Sequence, residues 1–183
     1  MIRAGLVVLF VLSTAGVFAE EPAEQHPLTP LMEFAKERLA VVDQSVSDYT
    51  CTLVRRELID GRLTPRSFAL VKLRHRQVRG QAVETPFSVY LRFLAPVEIE
   101  DREVLFVEGQ NDGKMLVRRG GRRFKFITVS IDPHGELAMS DSRYPITAMG
   151  IKSLIERLIE VGEEELEHDE IDVKYFPGAK INS

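Results

Sequence analysis

The chain has 183 residues, of which 44% are hydrophobic and 28% charged, with a formal net charge of −4. This balance belongs to a folded globular protein, excludes a collagen-like or disordered chain, and argues against a general nucleic-acid-binding surface. A single cysteine, Cys51, excludes an intramolecular disulfide and any metal site built on two thiolates.

Arg3 precedes an apolar run over residues 6–12, and Val17-Phe18-Ala19 leads into Glu20-Glu21. A positive start, a short apolar core and small residues before an acidic pair describe a secretory signal peptide cut after Ala19. The run is far shorter than the roughly 20 residues that cross a bilayer, so the mature chain is expected to lack a transmembrane segment. The expected location is periplasmic or secreted. Residues 1–19 are read as the signal peptide, 20–29 as a flexible lead-in with two prolines and Pro30 just after it, and 30–183 as a single α+β domain.

Thr29-Pro30 fits a helix start, and Leu31, Phe34, Ala35, Leu39, Val42 and Val46 recur at helical spacing, which predicts a helix over residues 30–46. From Asp48 to Ile131 the period changes to two. Residues 49–59 and 66–76 read as a hairpin about the Asp60-Gly61 turn. Cys51 shares a strand face with Tyr49 and Leu53, which predicts a small buried thiol. Pro86 opens a strand that sets Phe87, Val89, Leu91 and Phe93 on one face, and Pro96 ends it. Residues 102–108 are apolar on both faces at their centre and predict a covered strand. Turns at Asn111-Asp112-Gly113 and Gly120-Gly121 separate two more strands. The period becomes helical again at Ile151, Leu154, Ile155, Leu158 and Ile159, and Gly162 reads as that helix's stop. A last strand is predicted over residues 171–175, close to Pro177-Gly178. Together these give an antiparallel meander of about six strands with two helices, an estimate from turn spacing. The final strand leaves an open edge, which a partner chain could complete or which reflects an incomplete domain.

Chemistry-bearing patterns are sparse. His26, His75, His134 and His168 are scattered, and none has a partner at metal-ligand spacing; no P-loop or nucleophile elbow is present. The reading is a non-enzymatic protein with no catalytic residue, metal or cofactor. Charge is more informative. Residues 113–125 carry six basic side chains and no acid, Arg118, Arg119, Arg122, Arg123 and Lys125 among them, whereas residues 156–172 carry nine acids and Arg157. The basic segment is either a solvated sheet face or a surface for anionic lipid headgroups or an acidic partner. The apolar face of Phe87, Val89, Leu91, Phe93 and Phe106 needs a cover, and the helix bearing Leu154 and Leu158 offers one as plug or lid. That face is either a filled core or the lining of a cavity for an acyl chain.

DYTCTLVRREL, PFSVYLRFLAP, REVLFVEGQNDGKMLV and YPITAMGIKSLIERLIE, in that order, resemble a family of exported bacterial proteins of unknown function (domain of unknown function 1571). More distantly, Tyr90-Leu91-Arg92-Phe93 and Arg102-Glu103-Val104-Leu105 resemble the outer-membrane lipoprotein carriers and related sensor domains. That resemblance implies a curved, half-open antiparallel β-barrel wrapped around helices, with an apolar cavity for lipid or lipoprotein acyl chains. The family pattern continues with further strands beyond Gly178-Ala179-Lys180. Three functional expectations follow: an exported carrier or sensor of acyl chains, a module that pairs with a protein partner through the strand edge near Tyr175, or a truncated fragment without independent function.

Overall fold

The structure, a computed structural model, describes residues 26–121, 126–168 and 173. The fold is α+β. Helix α1 (Thr29–Ser45) precedes ten strands: β1 (Asp48–Arg55), β2 (Leu58–Ile59), β3 (Arg62–Leu63), β4 (Ser67–Arg74), β5 (Gln77–Arg79), β6 (Ala82–Thr85), β7 (Ser88–Ala95), β8 (Glu103–Val107), β9 (Met115–Arg118) and β10 (Thr128–Ile131). The short α2 (Glu136–Met139) and the long α3 (Ile151–His168) follow. Among the described residues six strands form one antiparallel sheet in the order β1-β4-β7-β8-β9-β10, with β1 and β10 at its edges and without closure.

Turn chemistry sets the register. Asp60 (φ 49°) and Gly61 (φ 75°) both occupy the left-handed region, as a two-residue hairpin loop demands, and they join Ile59 to Arg62 in the β2–β3 ribbon. That ribbon extends the β1–β4 hairpin, in which Tyr49 faces Leu73 and Cys51 faces Val71. A second ribbon, β5–β6, extends the β4–β7 hairpin. The glycine between its strands, Gly80 (φ 62°), was the signal for it, but residues 77–85 lack the apolar alternation that marks a strand.

Alternation decides the core. Ala69, Val71 and Leu73 of β4, Val89, Leu91 and Phe93 of β7, Val104 and Phe106 of β8 and Met115 of β9 form one buried cluster on the inner face. Phe87 is half-buried against it, with its ring 6.2 Å from that of Phe106. Strand β8 is covered on one face only: Val104 and Phe106 are buried, but Leu105 between them is exposed on the outer face, opposite Tyr90 and Leu116. Outer-face neighbours on both sides, not a second layer, accommodate that leucine.

The helices depart further from their sequence patterns. Thr29 lies inside the first turn of α1, and Leu28 takes the cap position. The buried residues of α1 are Met32 and Ala35, whereas Leu31 and Phe34 face solvent. Gly162 does not stop α3. It sits in mid-helix, buried at the crossing with α1, where a methyl group would collide with the Met32 thioether. The glycine permits close approach of two helices rather than a C-terminal turn. Lys36 of α1 then reaches Glu163 of α3 at 2.6 Å.

Candidate functional site

The inner sheet face holds five of the apolar residues singled out in the sequence. Val89, Leu91, Phe93 and Phe106 are buried in the core cluster, and Phe87 borders it. Their cover comes from an unexpected place. Ala138 of α2, together with Ile146 and Met149 of the segment that joins α2 to α3, packs against the cluster. Leu154 and Leu158 do not: they are 69% and 44% exposed, while Ile155 and Ile159 on the same helix are half-buried. The period is helical, as the spacing predicts, but the stripe is turned away from the sheet, because α3 packs against α1. Its half-buried side follows that helix rather than the sheet.

The cover is fastened at its margins by polar contacts. At the β1 edge, Arg55 donates to Ser142 Oγ (3.2 Å), and the Arg143 backbone N–H donates to Glu57 Oε2 (2.7 Å). At the other end the Ile151 N–H donates to Tyr49 Oη at 2.9 Å. Burial is the main reason the Tyr49 phenol is held above its ordinary pKa. Beside it, 5.8 Å between ring centroids, lies His75, 8% exposed. Its backbone N–H donates to Ser47 O (2.8 Å), and its Nε2 is enclosed without a hydrogen-bond partner. Burial and then Lys152 hold the His75 imidazole below its ordinary pKa, against the opposing influence of Asp43 and Glu156. Lys152 itself pairs with Asp43 of α1. His75, Lys152, Asp43 and Ser47 line a polar groove of about 230 Å³ at the end of α1. Sequence inspection gave no reason to prefer His75 over the other three histidines, since its burial depends on the distant Gly150 and Tyr49.

A second, open groove of about 420 Å³ runs between α1 and α3, with Leu39 and Ile159 at its apolar base and five glutamates around it. Cys51 is exposed, although it lies on the inner side of β1 opposite Val71. Among the described residues β1 has a neighbouring strand on one side only, and the exposed thiol overturns the expectation of a buried one.

The basic segment is visible in part. Arg118 and Arg119 are exposed at the end of β9, and Arg122, Arg123 and Lys125 lie outside the described residues. Arg118 bonds Glu103 on the neighbouring strand at 2.7 Å, and Glu103 also accepts the Tyr90 hydroxyl at 2.7 Å. Arg92 and Asp101 add another outer-face pair at 2.7 Å. Part of the basic charge is therefore balanced within the sheet. The predicted strand at residues 171–175 and the signal peptide also fall outside the described residues, apart from Val173. Among the described residues no helix is long and apolar enough to cross a membrane, and no cluster of three or more His, Cys, Asp or Glu side chains could hold a metal ion.

An open antiparallel sheet with a thin cover and a flanking helix pair defines the class of protein. Residues 46–183 match a family described as "Protein of unknown function (DUF1571)", and the chain belongs to that family. No curated protein and no solved structure gives a significant match.

Proposed function

We propose that this protein is an exported, non-enzymatic carrier or sensor that binds acyl chains of lipids or lipoproteins against the inner face of its sheet. One observation carries the reading. Among the described residues the buried apolar face of the sheet is covered by a short, irregular segment, and large apolar side chains stand exposed on that segment, Leu137 and Tyr144, and on α3, Ile151, Leu154 and Leu158. A cover of this kind is easier to displace than a packed helix, because it buries few side chains and is held by polar contacts at its margins. An acyl chain entering beneath it would exchange the contacts of Ala138, Ile146 and Met149 for its own methylenes, while Leu154 and Leu158 would guide the part still outside. Each methylene withdrawn from water contributes about 0.8 kcal/mol, so a long chain could offset the opening.

The test is titration of the exported chain with an environment-sensitive fluorescent fatty acid, displaced by unlabelled lipid. Saturable one-to-one binding that falls at least tenfold in a Leu154→Glu/Leu158→Glu variant of unchanged melting temperature is the expected result. Binding that is absent, or indifferent to that double substitution, removes the reading. In this reading the basic segment docks the carrier on anionic membranes, and an Arg122→Glu/Arg123→Glu variant should lose affinity for anionic vesicles.

A further inference from the structure

We propose that the corner at His75 is a proton-operated latch that holds the beginning of α3, and with it one end of the sheet's cover, on the sheet.

Four elements meet there. His75 follows β4 and is tied by its backbone to Ser47, in the link from α1 to β1. Its ring neighbours Tyr49 of β1, and its Cε1 lies 3.6 Å from where a side chain would begin at Gly150. Gly150 has φ 127°, a conformation that side-chain-bearing residues rarely adopt, and it faces Leu73 at 3.1 Å by the same measure. The chain thus turns into α3 directly over the imidazole. The next residue is fastened by Tyr49, and the one after it, Lys152, is fastened to Asp43.

The enclosed Nε2 makes this corner sensitive to protons. A neutral imidazole tolerates one nitrogen without a partner at moderate cost, whereas an imidazolium carries a donor on both nitrogens and needs acceptors for both. The proton comes from solvent, and no bond other than N–H forms. The charged groups around the ring are Asp43 from α1, Lys152 and Glu156 from α3 and the neighbouring Arg76, with the Tyr49 phenol from β1. Lys152 repels the new charge. Asp43 attracts it, but Asp43 already holds Lys152. Whether the ring draws Asp43 away or pushes Lys152 out, the α1–α3 tie at this corner breaks. The start of α3 then separates from Tyr49, and the cover loses its anchor at that end.

The experiment is amide hydrogen exchange on the full chain between pH 7.5 and 5.5, corrected for intrinsic exchange rates, with His75 titration followed by NMR in the same samples. Protection of residues 151–155 should fall several-fold on acidification, with the midpoint of the His75 titration, while residues 89–93 stay protected. His75→Gln should remove this pH dependence. His134→Gln should leave it intact, although His134 contacts Thr147 in the same cover (3.2 Å). Protection that does not change with pH overturns the proposal. So does a change whose midpoint differs from that of His75 in the unmodified protein, a result that does not depend on any variant folding.

Discussion

Valine and phenylalanine on the sheet, and leucine on α3, are apolar side chains in regularly repeating elements, yet the two regions treat them in opposite ways. Val89 and Phe106 are withdrawn from water by neighbours on adjacent strands and by the cover beneath them. Leu154 and Leu158 stand in solvent, because their helix turns its half-buried side to α1. The sheet is held by alternating apolar contacts repeated across several strands. The helix pair is held by one close crossing at Gly162 and Met32 and by ion pairs at Lys36–Glu163 and Lys152–Asp43. Stability therefore resides in the sheet, and the capacity for rearrangement resides in the helical side.

Substitutions can break or sharpen this contrast. The largest loss is expected from Phe106→Ala, about 3–5 kcal/mol by denaturant unfolding, since it opens a hole in the buried cluster. Leu154→Ala on the exposed helix face should change stability by no more than about 0.5 kcal/mol. Equal losses at the two sites would show that α3 shares the core. Gly162→Val should cost about 1–3 kcal/mol through overpacking against Met32, with much of that loss recovered when Met32→Ala is added. Failure of the second substitution to compensate would place the strain elsewhere.

Acidification probes the corner between the two regions. Because the folded protein holds His75 below its ordinary pKa of about 6.5, the unfolded chain binds the proton more readily. Stability should fall as pH drops below about 6.5 and level off once the folded imidazole is also protonated. His75→Gln should flatten that portion of the stability–pH curve. A modest effect is expected on the outer face, where Tyr90→Phe removes one hydrogen bond to Glu103 and should cost about 1 kcal/mol.

The same contrast explains what could be read from the sequence. The strands were legible because a period of two carries its own face assignment: Val89, Leu91 and Phe93 were placed together by spacing alone, and the structure buries them together. Asp60-Gly61 likewise declared its turn through residues that accept positive φ. A helical stripe says less, since it reveals that one face is apolar without naming what meets it. Leu154 and Ile155 belong to the same stripe, and only the position of α1 decides which of them is exposed. The cover was missed for a related reason: Ala138, Ile146 and Met149 lie in short, aperiodic stretches that give no repeating signal. In the sequence His75 is one histidine among four, because its surroundings come from residues far apart in the chain.

The exposed thiol of Cys51 has a practical consequence. The chain has one cysteine, and it sits on the inner side of an edge strand, on the same strand face as Tyr49 and Leu53, which pack against the core. A polarity-sensitive dye attached there would occupy the margin of the sheet without any engineered site. Its emission would report, in a single cuvette, whether the space beside the sheet is wet, filled by lipid or opened by acid.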